Sequence, residues 1–152
     1  MSKKFYIATD HAGYALKAYI KEYVISLGHN IIDLGPDSAD RVDYPDYAQK
    51  CAHAVLNDEG SFGILICGTG IGISIAANKV PGIRAALCHD HYTAKLTRQH
   101  NDANILCFGE RVVGKGVIEE MIEAFATTEF EGGRHAGRVA KIEGCSFGSD
   151  LG

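Results

Sequence analysis

With 152 residues, 46% of them hydrophobic and 22% charged, the chain suits a single domain, 1–152, around one core. A net charge of −4 without a basic face argues against a nucleic-acid partner. No apolar run approaches the roughly 18 residues of a membrane span. Five cysteines, an odd number with no C-x-x-C pair, predict a reducing, cytoplasmic setting in which most are small buried hydrophobes.

In chain order, Phe5–Thr9 reads as a short strand whose apolar run is broken by Asp10 and His11, so it does not resemble a signal peptide. Leu16, Ile20, Tyr23, Val24 and Leu27 recur at helical spacing, and Gly28 is a natural stop. Asn30–Leu34 is a second strand, closed by Gly35-Pro36. Asp43-Tyr44-Pro45-Asp46 reads as a turn leading into a helix that runs to about Asn57. Phe62–Cys67 is almost wholly apolar, as a strand covered on both faces should be. A helix over Ile71–Asn78, a strand over Arg84–Cys88 and a helix over Asp90–His100 follow. Next come a strand over Asn104–Phe108 and helices over Gly116–Thr127 and Arg134–Glu143. The small, polar residues 146–152 read as a frayed tail.

Strands alternating with helices predict an α/β fold, a parallel five-stranded sheet with helices on both faces. Ligands in such sheets sit beyond the carboxyl ends of the strands, near the switch in strand order. That rule nominates Asp10, His11, Cys67 to Gly72, His89 to His91, and Gly109 to Arg111.

The run Cys67-Gly68-Thr69-Gly70-Ile71-Gly72 joins a buried strand to a helix start. Such a loop can aim backbone N–H groups at an anion or at a charge that develops during reaction. The plain alternative is a tight turn that needs glycine for its dihedrals. A dinucleotide site is the rival, with Asp90 about 20 residues on. Against it, the G-x-G-x-G spacing is one residue short and too little chain follows for a second mononucleotide half. Cys67, ending the strand and opening the loop, can serve as nucleophile or base. A phosphorelay receiver is disfavoured, since Cys67 stands where an acceptor Asp would and no Lys comes directly after the last strand.

His100-Asn101 closes a helix, a place that suits either a cap or a general acid. Cys88-His89-Asp90-His91 is too crowded to ligate one ion and has no matching second pair, so no metal site is expected there. Arg134 and Arg138 follow two glycines at i, i+4 spacing, which fits a phosphate clamp as well as a solvated basic face.

Together, Asp10-His11-Ala12-Gly13, Asp43-Tyr44-Pro45, the Cys67–Ser74 segment, Arg98-Gln99-His100-Asn101 and Gly132-Gly133-Arg134-His135 resemble the B-type ribose-5-phosphate isomerase family, which includes galactose-6-phosphate isomerase subunits. The resemblance spans nearly the whole chain. It implies a flavodoxin-like three-layer sandwich and a cofactor- and metal-free aldose–ketose isomerisation in the non-oxidative branch of the pentose phosphate pathway. It also implies a homodimer or homotetramer with active sites at the subunit interface. By it, Cys67 is the base that takes the C2 proton, His100 the ring-opening acid, and Thr69 a further catalytic group. Asp10, His11, Gly68, Thr69, Gly70, Ile71, Gly72 and Asn101 contact the sugar phosphate, and Arg111, Arg134 and Arg138 its phosphate. Some members carry a glutamate further along the loop in place of the cysteine; here Ile71, Ile73 and Ser74 offer no carboxylate. The alternatives are a hexose-6-phosphate substrate, such as allose or galactose, and a non-catalytic nucleotide- or phosphate-binding module.

Overall fold

A computed structural model describes residues 1–144; the expected tail, 146–152, lies outside the described residues. The strands are β1 (Lys4–Thr9), β2 (Asn30–Asp33), β3 (Phe62–Cys67), β4 (Ala85–Leu87) and β5 (Ile105–Gly109). The helices are α1 (Lys17–Ser26), α2 (Tyr44–Leu56), α3 (Ile71–Asn78), α4 (His91–Asn101), α5 (Lys115–Thr127) and α6 (Arg134–Ile142), with a short 3-10 turn at Tyr14–Leu16. All strands are parallel, in the order β2-β1-β3-β5-β4.

The three layers follow from alternation along the strands. Phe5, Ile7, Phe62, Ile64, Ile66, Leu106 and Phe108 face α1, α4 and α5. Ala8, Leu65, Cys67, Ile105 and Cys107 face α2 and α3. β3 and β5 are therefore buried along their whole length and apolar on both sides, the composition a doubly covered parallel sheet requires. Compared with the flavodoxin order 2-1-3-4-5, the last two strands are exchanged. The exchange sets the end of β5 directly beside the end of β3, with Gly109 paired to Cys67.

Most boundaries shift by a residue or so from the sequence reading, and two of the shifts bear on the site. The Asp43–Asp46 turn is already helix from Tyr44, because Pro45 occupies the first turn, where its missing N–H costs nothing. The fourth strand is shorter than Arg84–Cys88. The Arg84 guanidinium is instead spent on the Asn101 and Asp102 carbonyls and on Glu143.

A buried cation fixes the loop beyond β2. Lys17, 3% exposed, donates to Asp33 Oδ1 at 2.9 Å and to the Pro36 carbonyl. Burial alone would raise the Asp33 carboxyl. Lys21, Lys17 and the Gly35 N–H outweigh it and hold the group below its ordinary value. Asp33→Asn should cost about 3 kcal/mol by stranding the Lys17 charge. Because the folded-state value is depressed, wild-type stability from this pair is present above the unfolded carboxylate pKa and falls as pH drops through the folded one. Chemical denaturation of both proteins at neutral and acid pH checks this; the difference should shrink in acid.

Candidate active site

The strand order switches direction between β1 and β3, so the crevice beyond their carboxyl ends is the natural ligand position. Asp10 follows β1 there, 7% exposed. Its N–H bonds the Ile66 carbonyl at 3.1 Å, and its Oδ1 accepts from the Ala12 and Gly13 N–H groups at 2.9 and 3.1 Å. The carboxylate is thus fixed in direction by β3 and by its own turn. His11 is held through Nδ1, which accepts from the Val42 N–H at 3.4 Å.

Cys67 ends β3 in the same crevice. Its sulfur accepts a hydrogen bond from the Gly70 N–H at 3.1 Å. Gly70 caps α3 with φ +81, a conformation that costs a side-chain-bearing residue. The Ile71 N–H bonds Thr69 Oγ1 at 3.1 Å, which leaves the exposed Thr69 hydroxyl its own proton to donate. Two of the loop's N–H groups are therefore already engaged. The donors left for a ligand are Gly68, Thr69 and Gly72, the last in the first turn of α3, where amides have no partner within the helix. The positive end of α3 adds to their field.

The other described cysteines do not compete for the role of base. Burial pushes the Cys51 thiol up to about 12 and Cys88 up to about 11, and holds Cys107 well above the ordinary value. Cys88 is packed in the core and Asp90 caps α4 through the Thr93 N–H, so the Cys88–His91 run serves folding.

The β5 end braces the loop. Glu110 and Arg111 N–H groups bond the Cys67 and Gly68 carbonyls at 2.9 and 3.0 Å. A Cβ on Gly68 would lie 3.0 Å from the Arg111 guanidinium, so that cation covers the loop. The Tyr44 ring lies over Gly72, 2.7 Å from where a Cβ would be. Sequence reasoning passed over Tyr44 as part of a turn; the only signal was its place in the Asp43-Tyr44-Pro45 motif. At Gly109 a Cβ would sit 2.5 Å from the Thr69 carbonyl carbon. Gly109→Ala should therefore push the loop off the sulfur and cut activity by more than about tenfold, with a smaller effect on thermal stability. Steady-state assay beside thermal melting separates the two.

His100, Asn101, Arg134 and Arg138 are elsewhere in the chain. α4 runs back across the sheet, and residues 102–104 lead directly into the start of β5. This group lies at the edge where the strands begin, and Cys67 where they end, separated by the length of β5, roughly 16 Å. A cavity of about 590 Å³ opens at that starting edge, between Asn78, Ala86, Thr97, Asn101 and Ile142. It reaches neither Cys67 nor the glycine loop, so its size does not make it the reaction site. Arg134 and Arg138 are exposed and, among the described residues, form no ion pair. His135 is buried beside them, its pKa lowered by burial and then by His100 and Arg134.

Residues 5–142 match the family model described as Ribose/Galactose Isomerase, and the chain belongs to that family. It is an isomerase by descent. Within the family the match is to the B type. The chain is 49% identical over 140 residues to ribose-5-phosphate isomerase B of Escherichia coli, covering 92% of this chain and 94% of the relative. The type B ribose 5-phosphate isomerase of Trypanosoma brucei superposes with TM-score 0.90 at 51% identity, over 94% of this chain and 98% of that one. Ribose-5-phosphate isomerase B of Clostridium thermocellum gives TM-score 0.90 at 49% identity, over 98% and 99%.

Proposed function

We propose that this chain interconverts ribose 5-phosphate and ribulose 5-phosphate, as a step of the non-oxidative pentose phosphate branch. The observation that carries the reading is the Cys67 sulfur, held by the Gly70 N–H at the start of α3. His100 protonates the ring oxygen while the anomeric hydroxyl loses its proton to water, so that the C1–O4 bond breaks and C1 becomes the open-chain aldehyde. Cys67 takes the C2 proton, leaving an enediolate whose charge lies on O1. The Thr69 hydroxyl and the unengaged amides of Gly68, Thr69 and Gly72 meet that charge as preorganised donors. A proton moves from O2 to O1, and the thiol returns its own proton to C1. Asp10, His11 and Asn101 hold the sugar hydroxyls. No electrons leave the substrate, so no redox cofactor is called for.

Cys67 and His100 lie on opposite edges of one chain, so one substrate meets both only where two chains pair. We place each active site between the Cys67 edge of one protomer and the His100 edge of its partner, in a homodimer or a tetramer of such dimers. The exposed Ile71 and Ile75, one turn apart on α3 beside the Cys67 loop, suit that contact. Among the described residues no helix is long and apolar enough to cross a membrane. The four cysteines among the described residues are buried and unpaired, which suits a reducing cytoplasm.

Turnover of ribose 5-phosphate, allose 6-phosphate and galactose 6-phosphate, measured side by side, tests the substrate; a preference for either hexose would overturn it. Arg134→Ala and Arg138→Ala should each raise KM for ribose 5-phosphate by about tenfold or more, with a smaller loss of kcat. Unchanged kinetics in both would leave the pair a solvated face.

A further inference from the structure

Two imidazoles and a carboxylate meet where α4 ends and α6 begins. The His100 and His135 rings stack with centroids 4.2 Å apart and planes 16° from parallel. The segment before α6 is tied to α4 by the Glu131 N–H, which bonds the Gln99 carbonyl at 3.1 Å. His135 is 5% exposed, and its Nε2 is buried without a hydrogen-bond partner. A buried polar atom left unpaired is destabilising and calls for a partner. The nearest carboxylate oxygen, Glu131 Oε1, is 3.5 Å away, too long for a good hydrogen bond.

We infer that His100, Glu131 and His135 form a binding site for a divalent cation of the zinc class, unused by the reaction, whose occupancy withdraws His100 from ring opening. The inhibitory half of this inference rests on the proposed role of His100; the binding half does not.

The donor spacing supports it. One ligand atom from each of the three residues lies within 4.8 Å of the other two. Bonds of about 2.0–2.1 Å in a tetrahedron put neighbouring donors ~3.4 Å apart. The His135–Glu131 separation of 3.5 Å already has that value. The stacked rings aim their lone pairs side by side, so the remaining donor, within 4.8 Å, is brought in by a swing of the half-buried His100 ring together with the exposed Glu131 side chain. Two histidines and a glutamate are the donor set of an open zinc site, with a fourth position left for water. Calcium and magnesium require mostly oxygen ligands and do not fit. Arg134 and Arg138 bring positive charge close to His135. Only a cation that gains strongly from imidazole bonds overcomes that field, which selects zinc-like ions over hard ones.

The probe is Co²⁺, titrated into the full purified chain and followed by visible absorption. The expected result is one four-coordinate Co²⁺ per chain without the near-ultraviolet band of a thiolate ligand. His135→Ala should abolish it, and Glu131→Gln, a change on an exposed side chain, should weaken it by about tenfold or more. Unaltered binding in both variants, no binding, or a thiolate band lost in Cys67→Ser would overturn the site. Zn²⁺ is then added during proton exchange from each substrate. Slowed exchange from ribose 5-phosphate, with exchange from ribulose 5-phosphate spared, supports the inhibitory half. Equal slowing of both, with Co²⁺ binding as described, keeps the site and overturns the ring-opening role of His100. No slowing of either overturns the inhibitory half alone.

Discussion

Cys67→Ser should fold normally and lose between about a hundredfold and ten-thousandfold of C2 proton exchange, the range that general base catalysis supplies. The substitution removes little volume. A serine oxygen can still accept from the Gly70 N–H that now holds the sulfur. The loop, the start of α3 and the substrate contacts are therefore retained, and only the acidity of the base changes. A hydroxyl is a far weaker acid than a thiol, so its conjugate base is scarce at neutral pH. Tritium or deuterium exchange at C2 of ribose 5-phosphate and at C1 of ribulose 5-phosphate reads this step directly in the two directions. Near-normal exchange would eliminate Cys67 as the base. Cys51→Ala is the matched control: its thiol is fully buried, pushed up to about 12 and donates to the Tyr6 carbonyl, so the variant loses packing and keeps its turnover. Loss of exchange in both variants would point to folding rather than chemistry.

How far the molecule is legible in its sequence depends on the range of the interaction that fixes each part. Among the described residues, the five strands and six helices are local facts. Phe62–Cys67 is apolar throughout because it is covered on both faces, and Gly28 and Gly70 sit at positive φ at a helix end and a helix start. The crevice beyond β1 and β3 is also legible, since strand ends carry the loops and the Asp10 and Cys67 segments follow strands directly. Long-range placement is not legible. Nothing near Gly72 announces that Tyr44 will lie over it, and nothing near His100 announces a stack with His135. The insertion of β5 between β3 and β4 is a property of the whole sheet, and it alone brings Gly109 against the glycine loop. The strand-end rule also nominates His89 to His91, which serve to start α4, and it is silent on His100 because a helix that returns across the sheet delivers its last turn to the wrong edge.

That wrong edge sets up the second large effect. Cys67→Ser and His100→Asn should each be nearly inactive on ribose 5-phosphate as homo-oligomers. Hybrids containing one chain of each should recover activity. If a site takes Cys67 from one chain and His100 from the other, a hybrid dimer has one doubly damaged site and one intact site. It should show about half the wild-type rate per dimer, and random mixtures about a quarter, since half the dimers are then hybrids. Were both residues to act within one chain, every site in the hybrid would lack one of them and nothing would be recovered. Coexpression with two affinity tags isolates the hybrid, and initial rates from ribose 5-phosphate read the result. The substrate form adds a second discrimination. Ribulose 5-phosphate has no furanose ring to open, so His100→Asn homo-oligomers should exchange its proton far better than that of ribose 5-phosphate, by up to the ~10²–10⁴-fold that an acid–base group contributes. Equal losses from both substrates would move His100 from ring opening to binding the enediolate. Recovery in the hybrid would still establish a shared site, because complementation depends on where the two side chains lie and not on which proton each one moves.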